Sequence, residues 1–462
     1  VINKVSSERT IDLYQKSETI HPRLVNGRFA KWRVIATVLL LGLFYVTPWL
    51  NWNGRQAILF DLPARQFHIL GTTFWPQDFI FLTLILIIAA LSLFFFTAIA
   101  GRIWCGLACP QTVWTQTFIW IERLVEGGRN HRIKLDKSPW TLRKLRIKTT
   151  KHFLWGIFAF FTGYTFVGFF TPIHDLTDNM LQLSLGPWEY FWVALYSLAT
   201  YGNAGFLREQ VCLHMCPYSR FQSAMFDKDT LIIAYDSARG ENRGHRKRDD
   251  LNYQKRQLGD CIDCQQCVKV CPTGIDIRDG LQYECIACAA CIDVCDDVMD
   301  QMGYDKGLIR YATENSMEGK QSRVFRPRTY VYAGILALCV SVFFIAISKR
   351  IPVELEISRE RQSLYTETFD GDIQNIYTIK VANMSQAVQD YRISVSGLPE
   401  LKLIGDSRLS VEPGAVKTMT YRVKTQPRNY ANKSNLIYFT VESIRDASVK
   451  RKAESRFIGP LK

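Results

Sequence analysis

The chain has 462 residues, a formal net charge of +14 and thirteen cysteines. Its length excludes one simple soluble domain. Its mean hydropathy is near zero, yet the apolar residues gather in long runs between strongly polar stretches, as in a membrane protein with soluble parts. The basic residues flank those runs, so the charge points to an anionic lipid leaflet and not to nucleic acid.

In chain order, residues 1–31 are polar, with scattered basic residues and no small-residue cleavage pattern. The first apolar run therefore reads as a retained membrane helix and not as a signal peptide. Five runs are long enough for a hydrocarbon core that takes about 20 helical residues to cross: 32–50, 79–100, 153–171, 188–207 and 330–348. Trp32, Trp49, Trp188 and Tyr330 stand at run ends, where amphipathic rings favour the interface. Segment 101–151 is dense in Lys and Arg. Segment 51–78 has only Arg55 and Arg65, and 172–187 has none. By that bias the N-terminus, 101–151 and 208–329 face the cytosol and the residues after 348 lie outside. Lys349 and Arg350 follow the last run on its outer side, against the rule.

The membrane part, 32–235, repeats a plan. Each half is a span, a short outer loop, a span, and a cysteine pair closed by proline: Cys105-x3-Cys109-Pro110, then Cys212-x3-Cys216-Pro217. After Pro110, Trp114, Phe118, Ile121 and Val125 share a helical face, which predicts an amphipathic helix along the inner leaflet. Pro217 is placed to do the same for Phe221 and Met225. Residues 236–260 are charged and Gly-punctuated and read as a solvated linker, which with the cysteine-rich stretch makes up 236–329. From 349 to 462 the period becomes that of strands, at Val353-Glu354-Leu355-Glu356-Ile357 and around Tyr377, Tyr391, Met419 and Ile437, with turn formers between. This predicts an immunoglobulin-like β-sandwich without metal ligands.

The strongest chemical signal is Cys261-x2-Cys264-x2-Cys267-x3-Cys271-Pro272, followed by Cys285-x2-Cys288-x2-Cys291-x3-Cys295. Tight turns between the first three cysteines let their sulphurs wrap a cubane, and the fourth comes from further away. In two-cluster bacterial ferredoxins the fourth cysteine of each run serves the other cluster. That assigns Cys261, Cys264, Cys267 and Cys295 to one [4Fe–4S] cluster, and Cys285, Cys288, Cys291 and Cys271 to the second. Two zinc sites would have no use for the doubled pattern. The second run has Asp296 in place of the proline, which removes no ligand. Thiolates that hold iron must stay reduced, which places these groups on the cytosolic side.

In the C-x3-C-P pairs, cysteines four apart would share a helical face and present two thiolates to one ion, or four thiolates from two pairs to one site. Soft sulphur favours Cu(I), zinc or iron–sulphur centres. His214 and Met215 are further candidate ligands. Buried structural thiols, a structural zinc site and a reversible disulphide also fit the pairs. Cys339, alone in the fifth run, reads as a packing residue. His152 and His174 stand at run edges, so haems held by two histidines each are not expected, and His68 and His174 read as surface histidines.

The order of these parts resembles the cytochrome c oxidase accessory proteins CcoG, RdxA and FixG, over nearly the whole chain. The ferredoxin run alone is widely shared, and the C-x3-C-P pairs occur in other respiratory membrane ferredoxins. The β-domain after the fifth run distinguishes this order. The resemblance implies an oxidoreductase of the bacterial inner membrane that reduces cytosolic Cu(II) to Cu(I), with Cys105, Cys109, Cys212 and Cys216 handling copper and the ferredoxin-type cysteines as the relay. The implied partners are a copper-transporting P-type ATPase, the assembly components of a cbb3-type oxidase and an unidentified cytosolic electron donor. A quinol-linked electron conduit and a non-catalytic assembly factor are the competing readings. The conduit would need polar groups for a quinone inside the spans, where they are sparse.

Overall fold

The computed structural model describes residues 20–460 except 53, 249, 251–255, 362 and 431. Most of the polar N-terminal segment and the centre of the 236–260 linker lie outside the described residues. Helices form at every expected run. Arg28–Val46, Phe79–Ala100 and Pro327–Ser348 are long and apolar, and these three meet the length and hydropathy needed to cross a membrane. Leu142–Val167 begins well before residue 153, because its basic first turns are also helical. The fourth run is divided: the α-helix Pro187–Thr200 passes into a π-helical segment, Tyr201–Leu207.

The chain forms two compact units. The first falls within Val1–Tyr45, Ala90–Tyr164 and Pro187–Gly334, the second within Val46–Ala89, Thr165–Gly186 and Ile335–Lys462.

In the first unit, Pro110 opens the helix Pro110–Glu126 as expected. Its apolar face is not a lipid face, however. Phe118 is fully buried against Trp155, Ala159 and Ala204, with Trp114 and Ile121 beside it. The Trp155 indole donates to the Phe118 carbonyl at 3.1 Å. An amphipathic stripe states that one face needs an apolar cover, and here protein supplies it. The cysteine-rich domain is closed by a two-stranded antiparallel sheet, Ile232–Tyr235 against Ile309–Ala312, so it begins before residue 236. The presumed linker is fastened to it. Asp236 caps a short helix through the Arg239 amide. Arg239 pairs with Asp260 at 2.5 Å, and Arg246 donates to the Tyr304 hydroxyl at 2.9 Å.

The second unit holds the expected β-sandwich. One sheet carries Val353–Arg359, Ile373–Asn383, Val416–Thr425 and Lys402–Ile404, with Thr366–Glu367 paired at one end. The other carries Arg408–Val411, Gln389–Ser396, Ser434–Ser443 and Lys450–Ile458. Tyr377, Tyr391, Tyr421, Phe439 and Phe457 are completely buried between them. Segment 51–78 is not an open loop: it folds into the antiparallel strands Ile58–Asp61, Gln66–Ile69 and Thr72–Phe74. His68 is accordingly buried, 3.0 Å from the Thr73 hydroxyl, and is no surface histidine.

Arg350 explains the basic pair that breaks the loop-charge pattern. Its guanidinium grips Asp78 with two bonds, at 3.1 and 2.5 Å, and donates to the Thr73 carbonyl at 2.8 Å. Both side chains are nearly buried. Removing one partner leaves the other charge buried and uncompensated. Asp78→Ala is therefore expected to destabilise this unit by about 3–5 kcal/mol, read by denaturant unfolding of the detergent-solubilised chain. Asp78→Leu with Arg350→Met should cost clearly less.

Candidate functional site

Each ferredoxin-type run folds around two non-glycine residues in the left-handed region at matching positions. These are Asp263 and Gln265 in the first run, at φ 50° and 55°, and Ala287 and Ala289 in the second, at φ 53° and 58°. Such residues cost about 1–2 kcal/mol each. They persist only where the surroundings impose them. Here they curl the chain so that consecutive cysteines face one interior. The short helix Gln266–Val270 then carries Cys267 and leads into Cys271, while Ala290–Met302 carries Cys291 and Cys295 four residues apart.

The thiols of the two runs lie close together. The Cys295 thiol is pushed up to about 12 by burial and by the neighbouring Cys267, Cys264 and Cys261. Burial likewise raises Cys285 to about 12, with Cys288 and Cys271 adding to it, and raises Cys291 well above the thiol range, with Cys288, Cys285 and Cys271 beside it. Cys267, Cys271, Cys285, Cys288 and Cys291 line one common cavity. Thiols this buried ionise only when a cation replaces the proton. Two quartets of such thiols, each around one interior, fit two iron–sulphur clusters.

The C-x3-C pairs depart from the helical expectation. Cys105 sits in the helix Ile103–Leu107, but Cys109 is extended, at φ −61° and ψ 128°, and caps the next helix. Cys212 sits in the π-helical turn Val211–Met215, and Cys216 is again extended, at φ −81° and ψ 110°. The prolines are the cause, because the residue before proline is driven out of the α region. The two halves share one more detail. Thr112 donates to the Cys105 carbonyl at 2.6 Å, and Ser219, at the same offset, donates to the Cys212 carbonyl at 2.5 Å.

The pairs do converge. Burial pushes the Cys105 thiol up to about 12, with Cys109 and Cys212 contributing and Arg102 opposing. Cys212 rises to about 11 through burial, Cys109 and Cys216. The Cys105 sulphur is 3.5 Å from the fully buried Gln222 amide oxygen. His214 and Met215 instead stand exposed. Among the described residues no three His, Cys, Asp or Glu side chains close on a single-ion site. The same holds for the eight ferredoxin-type cysteines, so this does not tell the two systems apart; the four thiols of the pairs form one basin.

Sequence reasoning missed how the two cysteine systems meet. A Cβ on Gly106, inside the first pair, would fall 2.7 and 2.8 Å from the carbonyl oxygens of Ala287 and Ile286. The first pair is thus flush against the loop between Cys285 and Cys288. Beside it the buried Arg102 guanidinium donates to the carbonyls of Cys285 at 3.2 Å, Ser219 at 2.7 Å and Tyr283. Cys212 and Cys288 border one small cavity of about 50 Å³. The Asp293 carboxylate accepts from the Phe29 and Ala30 amides at 3.1 and 2.7 Å, capping the helix Arg28–Val46. The glycine within Cys105-x3-Cys109 was the available signal.

Comparison with known proteins agrees with this geometry. Residues 207–314 match the model of a 4Fe-4S dicluster domain, 81–127 a 4Fe-4S binding domain, and 343–460 the Ig-like fold at the C-terminus of FixG. The chain is similar to protein RdxB of Cereibacter sphaeroides, 41% identical over 90% of both chains. It is similar to protein RdxA of the same organism, 38% identical over 89% of this chain and 90% of that one. Nitrogen fixation protein FixG of Rhizobium meliloti is 36% identical over 87% of this chain and 86% of that one. A FixG-related protein from Vibrio parahaemolyticus, known from its crystal structure, is 30% identical over 24% of this chain and 98% of its own, with a TM-score of 0.22.

Because Gly106 closes on backbone carbonyls that cannot swing away, Gly106→Val should overpack the contact at a cost of about 1–3 kcal/mol. The expected readout is a lower melting temperature with a change in one of the two iron–sulphur EPR signals. Leu213→Val, at the matching position of the second pair, should leave both signals as they are.

Proposed function

The chain belongs to the FixG, RdxA and RdxB family of iron–sulphur electron-transfer proteins, and from that premise we propose that it is a membrane-bound reductase of cytosolic Cu(II). Its product, Cu(I), is destined for export by a P-type ATPase and for assembly of a cbb3-type haem–copper oxidase. Cys261, Cys264, Cys267 and Cys295 hold one [4Fe–4S] cluster, and Cys285, Cys288, Cys291 and Cys271 hold the other. When bound, the clusters supply one-electron transfer. Cys105, Cys109, Cys212 and Cys216 receive copper as substrate. Thiolates prefer Cu(I) to Cu(II), so binding among them raises the drive to accept an electron.

The observation that carries this reading is the contact of Gly106 with the Ile286 and Ala287 carbonyls, which sets the thiol basin directly against a cluster loop. A specific observation favours a second reading of the same thiols: both pairs fall within the matched iron–sulphur models, so a third centre is the competing occupant.

One experiment separates the readings. Anaerobically purified chain should hold about eight irons if two cubanes are present, and about twelve if a third is held by the pairs. Replacing Cys105 and Cys109, or Cys212 and Cys216, with serine should leave iron and sulphide at about eight and abolish Cu(I) formation in a chelator assay. Reduction at the wild-type rate by both variants would remove copper from the thiols.

For topology we propose five crossings, with the N-terminus and the cluster domain cytosolic and the β-domain periplasmic. The Lys and Arg content of 101–151 supports this, and pairing with Asp78 cancels the one charge that opposes it most directly, Arg350. Reporter fusions after Lys137 and Gly303 should behave as cytosolic, and one after Lys417 as external. A cytosolic report from Lys417 would eliminate the fifth crossing.

A further inference from the structure

A chamber of about 1080 Å³ opens beside the first cluster run. One wall is the run itself: Val268 and Lys269, between Cys267 and Cys271, with Gly274 just beyond. The opposite wall is aromatic. His152 stacks on Phe206 at 6.0 Å and 12°, and meets Trp155 edge-on at 5.3 Å. Phe206 belongs to the π-helical segment Tyr201–Leu207, a feature that often marks functional sites.

The chamber holds two histidines. His21 is nearly buried, pairs its Nε2 with Asp136 at 3.0 Å, and has no partner for Nδ1 among the described residues. His152 lies 2.8 Å from the Tyr201 hydroxyl through Nδ1. In the tautomer whose Nδ1–H donates to Tyr201, Nε2 is free to accept. Burial lowers both histidines; Lys151 and Lys148 lower His152 further, while Glu122 and Asp136 partly offset the fall at His21. Both are therefore neutral acceptors near pH 7.

Three of the cations in the wall are paired with acids: Arg208 with Glu122 at 3.2 Å, and Lys148 and Lys151 with Glu126 at 2.8 and 3.0 Å. Arg129, Lys137 and Lys269 have no acid within ion-pair distance among the described residues. A second cavity of about 510 Å³ shares Lys148 and His152 with the chamber and is otherwise formed by Thr149 and the exposed Trp140, Leu145 and Phe153. It offers a route for an isoprenoid chain along the helix Leu142–Val167.

We propose that this chamber binds and oxidises a membrane quinol, which makes the quinol pool the electron donor. The quinol loses two electrons and two protons and becomes the quinone. One proton passes to His152 Nε2 and one to His21 Nδ1. The two electrons would leave by the Cys267–Cys271 loop, whose cysteines would hold the one-electron acceptors. The polar groups come from the cytosolic ends of the helices and from the chain before Arg28, which is why the spans themselves could be poor in them. The proposal rests on the iron–sulphur assignment and is independent of copper.

The test uses full-length, cluster-loaded protein in nanodiscs. Heptyl-hydroxyquinoline N-oxide, a quinol analogue, should bind with quenching of its fluorescence, and anaerobic decylubiquinol or menadiol should bleach the clusters. His152→Gln and His21→Gln should weaken analogue binding and slow quinol-driven bleaching by about a hundredfold, the usual loss of a positioned base. Iron content and bleaching by dithionite should stay at wild-type levels, and these report on the clusters by themselves. Absence of analogue binding by the wild type, or unchanged binding in both variants, overturns the proposal. So does bleaching by reduced flavin mononucleotide that the variants abolish while the quinols are inert.

Discussion

The two cysteine systems of this chain meet at a backbone-to-backbone contact. Gly106 brings the first thiol pair against the Ile286 and Ala287 carbonyls at a distance where even one methyl group would collide. Arg102 fixes the orientation by serving Tyr283, Cys285 and Ser219 together. Hydrogen bonds to a charged group are worth about 1.5–3 kcal/mol each, so this one side chain outweighs any flexible tether. Electron transfer falls steeply with distance. A cluster domain hung on a loose linker would sample many separations; one locked by a glycine and an arginine keeps a single short one.

The same seam resolves an electrostatic difficulty. The unit buries many thiols, and burial drives those of Cys105, Cys267, Cys285 and Cys295 up to about 12. Without cations these groups are ordinary protonated thiols, and their packing is that of small apolar residues. With cations they ionise and become ligands. The thiols of this centre are neutral until metal arrives, while Arg102 and the paired Arg278 stay charged beside them. A second set of fixed charges is the Glu122–Glu126 network, where Arg208, Arg132 and Lys151 keep Glu122 ionised in spite of its burial.

Much of this was legible in the sequence because it is periodic or spaced. The cysteine runs foretell an iron–sulphur domain, and the alternation around Tyr377, Tyr391 and Ile437 foretells the inner strands of the sandwich. The strand Lys450–Ile458 escaped notice because it is an edge. One face suffices for it, and its lysines and arginines protect the open side. The amphipathic helix after Pro110 was readable, but its cover was not, since a stripe of Trp114, Phe118 and Ile121 is as suited to lipid as to Trp155. The extended backbone at Cys109 and Cys216 was readable in principle from the prolines that follow. The seam itself was not, since it joins Gly106 to residues remote in the chain through carbonyls, which carry no sequence signature.

The internal repeat gains its meaning from where it breaks. Thr112 and Ser219 brace the two pairs in the same manner. The positions that dock are different: Arg102 and Gly106 in the first half correspond to Glu209 and Leu213 in the second. A duplicated membrane pair can be symmetric as long as nothing asymmetric must bind to it. One cluster domain, following the second half in the chain, cannot dock identically on both halves. The first half therefore became the docking face, with the small residue and the cation. The second half kept its thiols but reaches the cluster loop only across the cavity shared by Cys212 and Cys288. It also hosts the π-helical distortion at Tyr201–Leu207, for which the first half has no counterpart among the described residues. On the functions proposed above, the departure from symmetry divides the labour: the first half would fix the distance for electrons leaving the clusters, and the second would shape the chamber where electrons enter.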